Sequence, residues 1–345
     1  MPERWRVNGI VPFGNLIDIG FISVGFFFTL SGYILSVVYL QPRRDLNPRK
    51  FWIARFARIY PLFAASLLLD VPNVFLYRLG KYGLKMALAK TSVTLAGNLL
   101  MLQVWFLKLR FLNAPVWSLG VESFFYFLFP FLGWRLWKAS ARGAIWGSIL
   151  LYAAGMALVG LGRYIGLTDG MIEFTPVFHL HELFIGVLLA KWHSHALESQ
   201  KRQEILTRIA PWIALASLCL FIFAVYNFHR VPELFFRCGL LLPVYVLAIV
   251  AFATGNRWLE AVFAIPALVV LGEASYALYL IHVPIAHYFA LSGLKKAWSY
   301  PVYLGLCLGL SLASFYLFEN PARQAILRWA HSRSKETTMV ASIAQ

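Results

Sequence analysis

The chain has 345 residues, 60% of them hydrophobic and 13% charged. A soluble domain carries roughly 25% charged residues, so this balance excludes a soluble globular protein. The formal net charge of +16 would raise nucleic acid as a partner of a soluble chain. Here lysine and arginine gather in short segments between apolar runs, as the positive-inside rule expects, and nucleic acid is set aside.

Taken in chain order, apolar runs of about 20 residues, the length that crosses a bilayer as helix, predict nine membrane spans. They cover 18–40, 60–79, 117–134, 145–163, 176–192, 209–227, 234–253, 272–291 and 301–319. The predicted fold is all-α: a polytopic bundle of about nine transmembrane helices in contact with lipid. Residues 1–17 form a short N-terminal segment, 18–323 the membrane domain and 324–345 a cytoplasmic tail. The first run ends in Val37-Val38-Tyr39-Leu40 with no small-residue cleavage site, so it does not read as a cleavable signal peptide. Cys219, Cys238 and Cys307 all fall in apolar runs, and their odd number gives no disulfide framework; they are expected to fill the core.

Charge sets the orientation. The loop with Arg43, Arg44, Arg49, Lys50, Arg55 and Arg58 holds one acid, Asp45, and is expected in the cytoplasm. Alternation then places Arg135, Lys138 and Arg142 inside, together with Lys201, Arg202 and Arg208, and the tail with Arg323, Arg328 and Arg333. The loop with Asp169 and Glu173 falls outside. The segment 80–116 also falls outside despite Lys81, Lys85, Lys90, Lys108 and Arg110. Reading its apolar part as a further span would turn every later basic loop outward. A helix around 91–107 is therefore expected to be interfacial or re-entrant. The odd span count leaves the N-terminus outside, and a chain starting in the cytoplasm would need one more helix before Asp18.

Four constellations bear chemistry. Glu122 is the only charge in its span, in Trp117-Ser118-Leu119-Gly120-Val121-Glu122 and the apolar run that follows. Ionisable groups in hydrocarbon are costly, turn inward and mark sites; the bland alternative is a carboxylate that ties two helices together. Trp117 and Ser118 stand at the outer end of that span, where Trp117 alone reads as a belt aromatic. Arg55 and Arg58 share a helix face, a fork suited to phosphate, or else an anchor of the positive-inside kind. His282 lies roughly 15 Å into its span, placed for a general base, a proton relay or interhelix glue. Ser31-Gly32, in Phe26-Phe27-Phe28-Thr29-Leu30-Ser31-Gly32-Tyr33-Ile34, reads as close helix packing.

Two further patterns are set aside. Gly160, Gly162 and Gly166 lie in a membrane span with no preceding strand, so they do not form a nucleotide loop. His179 and His181, in His179-Leu180-His181-Glu182, are two apart and do not share a helix face, and no third ligand cluster accompanies them; no metal site is predicted.

Taken in order, GFFFTLSGYI, RFARIYP, WSLGVESFFYFLFP, LGEASYALYLIH and Phe318-Glu319-Asn320-Pro321-Ala322-Arg323, with HELFIGVLLA containing Glu182 and Gly186, resemble the acyltransferase-3 family of integral membrane acyltransferases. The resemblance covers roughly residues 20 to 323. It implies a ten-helix bundle that moves an acyl group, often acetyl, from cytoplasmic acyl-CoA. The acceptor is a hydroxyl of an extracytoplasmic or cell-envelope carbohydrate or glycolipid, at a bacterial inner membrane. Acyl-CoA is then a donor substrate, with no cofactor or metal held. The resemblance casts Glu122 and His282 as catalytic, Arg55 and Arg58 as donor-binding, and Trp117 and Ser118 as substrate-binding. The family usually opens with a helix bearing an Arg and, a little further on, a His. Met1–Gly20 supply neither in that context, since no His follows Arg4 and Arg6, so the first family helix is read as missing. Two other classes stay open: a transporter or flippase, which the lack of paired broken spans or an inverted repeat disfavours, and a truncated inactive member.

Overall fold

The computed structural model describes residues 20–41, 46–106, 108–109, 112–291 and 299–343. The predicted segment 1–17, Arg43, Arg44, Asp45 and Arg110 lie outside the described residues. The helices are α1 (Ile22–Tyr39), α2 (Pro48–Tyr82), α3 (Leu84–Leu99), α4 (Val116–Trp137), α5 (Ala141–Tyr164), α6 (Asp169–Phe174), α7 (Leu180–Leu197), α8 (Gln200–Tyr226), α9 (Glu233–Arg237), α10 (Leu242–Ala253), α11 (Arg257–Phe263), α12 (Pro266–Leu291), α13 (Ser299–Ser314) and α14 (Asn320–Ile343). No strand occurs among the described residues. This is an all-α, multi-pass membrane protein: among the described residues eight helical stretches are long and apolar enough to cross a bilayer.

The remaining predicted span, 176–192, is a short turn at Pro176–His179 followed by α7. It carries Glu182 and Lys191, and it tolerates them because every residue from His181 to Ala190 is buried. The side chains of such a helix meet protein rather than lipid. α8 is its opposite. Only Ala210 and Ser217 are buried there, while Trp212, Leu218 and Phe223 are exposed, the surface of a helix bathed in hydrocarbon. Cys219 lies on α8 and is exposed, against the expectation of core filling; Cys238 and Cys307 are buried, and all three are free thiols.

α2 is much longer than the predicted 60–79. Asn47 caps it by accepting from the Lys50 N–H at 3.0 Å, and Pro48 takes the first turn, where no N–H is needed. Gly83, at φ +75, stops it. Its 35 residues measure about 52 Å, well beyond a hydrocarbon core of about 30 Å. The helix expected around 91–107 begins earlier, at Leu84, and ends at Leu99, followed by a tight turn at Leu102–Val104.

The described residues form two compact units, one from 20–41, 133–173 and 177–256, the other from 46–132, 174–176 and 257–343. In the first, α1 and α7 touch backbone to backbone. A Cβ on Gly32 would stand 2.0 Å from the Leu183 carbonyl oxygen, and one on Gly186 would stand 2.1 Å from that of Thr29. The Ser31-Gly32 packing site thus finds its counterpart in HELFIGVLLA. The two helices run parallel, since Gly25 lies at Glu182 and Tyr33 hydrogen-bonds His193 at 2.5 Å. α5 runs antiparallel to α7, with Gly155 against His181 and Gly147 against Leu188. α8 and α10 are antiparallel, joined by Ser217 to the Val244 carbonyl and Thr207 to the Thr254 carbonyl, each at 3.0 Å.

In the second unit α2 and α12 run parallel in constant register. Tyr276 donates to the Ile59 carbonyl at 2.6 Å and His287 meets Asp70 at 2.7 Å, both at a sequence separation of 217. α4 is antiparallel to α2: Phe51 stacks on Phe129 at 5.2 Å and Arg55 lies over Tyr126. α3 folds back along α2, with Arg78 bonded to Thr91 and Thr94 near the turn and Tyr60 reaching the Leu99 carbonyl at 3.1 Å.

α3, 16 residues long, is not among the helical stretches long and apolar enough to cross a bilayer.

Candidate active site

All six predicted site residues belong to the second unit. Arg58 donates to the Glu319 carboxylate, which is 2% exposed, and its guanidinium lies 5.6 Å from the Tyr276 ring centre. Glu319 closes a single wide turn, Phe315–Glu319, between α13 and α14. Pro321 accounts for that turn. It lacks an N–H and its ring crowds the carbonyl four residues back, so the helix opens just before it. The motif Phe318-Glu319-Asn320-Pro321 thus aims a buried carboxylate at α2.

Arg55 goes elsewhere. Its guanidinium lies 6.0 Å from the Phe51 ring and 5.8 Å from the Tyr126 ring. The Tyr126 hydroxyl in turn donates to Glu122 Oε1 at 2.6 Å, one turn away on α4. The two arginines are therefore not a simple fork: one is anchored by Glu319, the other stacked on the tyrosine that holds Glu122. Arg323, one turn past Glu319, also bears electrostatically on Arg58. Three guanidiniums gather around two carboxylates, an excess positive charge in low dielectric where each interaction is strengthened.

The register puts Arg58 beside Tyr276, ten residues into α12 from Pro266 and four into the predicted span 272–291.

Ser118 is buried and its Oγ lies 2.7 Å from the Tyr279 hydroxyl; both hydroxyls also reach the Pro115 carbonyl at 3.0 Å. Trp117 packs on Phe174 at 5.3 Å, an aromatic contact at the head of α4. His282 donates from Nδ1 to the Leu278 carbonyl at 3.1 Å, which fixes the tautomer and leaves the lone pair on Nε2. Its ring lies 6.3 Å from that of Tyr279. Glu122 bears electrostatically on both Tyr276 and Tyr279. Tyr279 is thus where the predicted residues converge: Ser118 by hydrogen bond, His282 by ring contact, Glu122 by charge.

Sequence reasoning missed the tyrosines 126, 276 and 279 and the partner of Glu319. Tyrosine in an apolar span reads as packing, and its hydroxyl becomes informative only when a partner is known. It also missed Asp70, a carboxylate inside the predicted span 60–79, although the rule that singles out Glu122 applies equally there. In the first unit, His179 bonds Glu182 at 3.0 Å and the Glu173 carbonyl at 2.7 Å, while His181 packs on Gly155. Among the described residues no three potential ligands gather into a metal site.

The chain matches the acyltransferase domain family over residues 2–319 and belongs to it: it is a member of the acyltransferase-3 family of integral membrane proteins. An O-acetyltransferase of Staphylococcus aureus (strain MRSA252), so named provisionally, is 25% identical over 340 residues, 91% of this chain and 54% of that protein. The acyltransferase MdmB of Streptomyces mycarofaciens is 27% identical over 281 residues, covering 79% of this chain and 70% of its own length. The peptidoglycan O-acetyltransferase OatA of Listeria monocytogenes is 27% identical over 292 residues, 77% of this chain and 45% of that protein. The chain spans about half the length of the Staphylococcus relatives it matches. No solved structure matches it.

Proposed function

We propose that the protein transfers an acyl group, acetyl by analogy with its relatives' names, from cytoplasmic acyl-CoA to a hydroxyl of a cell-envelope carbohydrate. The relatives named above are bacterial, and one acts on peptidoglycan by its name. The relatives' bacterial organisms support a bacterial inner membrane, and the basic loops support a C-terminus in the cytoplasm.

The observation that carries the reading is the intramembrane cluster of Arg55, Arg58 and Arg323 with Glu122 and Glu319. A positive excess inside an apolar bundle calls for an anion, and a phosphate-bearing donor supplies one. Arg55 and Arg58 bind the donor; Glu319 takes one edge of the Arg58 guanidinium, which has five N–H donors in all. Charged CoA does not cross hydrocarbon cheaply, so only its acyl group travels. Ser118 and Trp117 line the transfer path, and Glu122 and His282 handle protons or orient Tyr279 within it.

The test is acetyl-CoA binding and acetyl transfer by the full chain in membranes. Arg55→Ala is expected to weaken donor binding by about 1.5–3 kcal/mol, tenfold or more, with fold intact. Glu122→Gln is expected to lower transfer while binding persists. Unchanged donor affinity in Arg55→Ala would reduce this arginine to packing on Tyr126.

A further inference from the structure

α2 is basic at both of its ends. Arg49 and Lys50 stand in its first turn and Lys81 in its last, with Lys85 and Lys90 following on α3. The helix is long and apolar enough to cross a bilayer, and a crossing sets the two basic ends on opposite faces. The positive-inside rule and the anionic lipid of the cytoplasmic leaflet account for one of them only. The other is not neutralised by its own segment, because no Asp or Glu occurs in the sequence between Asp70 and Glu122.

The turn between the two helices brings these lysines together. Gly83, at φ +75, reverses the chain. The buried Arg78 then ties α3 to α2, donating to Thr91 Oγ1 at 3.3 Å and to Thr94 Oγ1 at 3.1 Å. Lys90 is thereby carried back to the tip. Its Nζ lies 4.3 Å from the centre of the Tyr82 ring, and Lys81 Nζ lies 5.3 Å from the same centre and 5.9 Å from that of Tyr77. The Tyr77 and Tyr82 rings are 64% and 40% exposed, and Lys81, Lys85 and Lys90 are exposed as well. Two ammonium groups around one ring repel each other. The negative face of the ring offsets part of that repulsion, and an anion offsets the rest.

We propose that the α2–α3 tip is a docking surface for acidic carbohydrate, selecting acceptors that carry carboxylate or phosphate groups. The choice of a carbohydrate rests on the acyl-transfer reading above, which puts the acceptor on the face opposite the Lys50 loop. Lys81 and Lys90 take an acidic group of the glycan, each ammonium having three N–H donors. Lys85 adds its charge to the same surface. Tyr77 and Tyr82 hold the ammonium groups in place and offer apolar ring area to the sugar. Exposed charges of this kind act on encounter: they raise the local concentration of an opposite charge, and salt screens them. The surface therefore sets which acceptor arrives, not how fast a bound acceptor reacts.

The experiment uses the full chain in proteoliposomes, acetyl-CoA as donor and two soluble glycans of one backbone. One bears carboxylates; in the other they are reduced to alcohols. Binding of the acidic glycan, fluorescently labelled, is measured separately without donor. The triple variant Lys81→Gln, Lys85→Gln, Lys90→Gln is expected to raise KM for the acidic glycan about tenfold, with kcat unchanged and KM for the neutral glycan within twofold. The difference is expected to close in 1 M salt, where the screening length is about 3 Å. Lys→Arg at the same three positions keeps the charge and is expected to retain the low KM. Equal changes for the two glycans would assign the lysines to packing or to lipid and overturn the inference, as would an unchanged KM for both. Salt-insensitive binding of the acidic glycan by the unaltered chain overturns the inference while transfer to the neutral glycan still upholds the acyl-transfer reading. Salt-sensitive binding with no transfer to either glycan overturns that reading and leaves the docking surface standing.

Discussion

Each compact unit sets a buried carboxylate against an imidazole, and the two pairs are built to different ends. In the first unit His179 and Glu182 are both enclosed, at 1% and 0% exposure, and both imidazole nitrogens are engaged, one by Glu182 and one by the Glu173 carbonyl. In the second, Asp70 is enclosed but its histidine stands partly open. The chemistry of the pairs is the same. What differs is exposure, 33% for the His287 side chain against 1% for that of His179. An enclosed pair of this kind ties helices together.

Breaking the enclosed pair is expected to have the largest effect. His179→Ala leaves Glu182 as an uncompensated buried carboxylate, a loss of about 3–5 kcal/mol, read as a collapse of the folded fraction in detergent. The loss of Glu319's partner in Arg58→Ala belongs to the same class. His287→Ala also removes the imidazole from a fully buried carboxylate, Asp70, and is expected to lower the folded fraction by less, because one third of the His287 side chain is exposed. If His287→Ala unfolds as readily as His179→Ala, the distinction between the pairs fails.

A smaller effect is expected at the first unit's glycine contact. Gly186→Ala drives a methyl into the Thr29 carbonyl, a backbone atom that cannot swing aside. Overpacking of this kind costs about 1–3 kcal/mol, measured as a lower thermal midpoint. A midpoint equal to wild type would mean that α1 and α7 separate freely.

Much of this was legible in the sequence. The spans stand out because roughly 20 apolar residues are needed to cross hydrocarbon. Gly32 was legible as a packing site because a small residue has little other use in a membrane helix. Boundaries were not: Asn47, Pro48 and Gly83 extend α2 far beyond its apolar run, through capping that hydropathy does not register. The site was half legible. Glu122 and His282 are conspicuous as polar groups in apolar runs, but the bond from Arg58 to Glu319 joins residues 261 apart. No local pattern shows such a pairing. Tyr279 was hidden because a phenol has meaning only beside Ser118.

An effect of similar size, on transfer rather than on folding, is expected at Tyr126, which links Arg55 to Glu122. Tyr126→Phe removes one charge-assisted hydrogen bond and keeps the ring beneath Arg55. A loss of about 1.5–3 kcal/mol in transition-state stabilisation is expected, with less change in stability because Glu122 is only partly buried. An unchanged transfer rate would detach Glu122 from the donor arginines.

Transfer across the membrane is the central claim, and its most direct measurement is sidedness in sealed vesicles of known orientation. Acetyl-CoA is confined to the face of the Lys50 and Arg142 loops and a membrane-impermeant glycan to the opposite face. The account predicts acetylated glycan with no acetyl-CoA crossing, and none when the two substrates are exchanged. Acetylation only when both substrates share one face would contradict it.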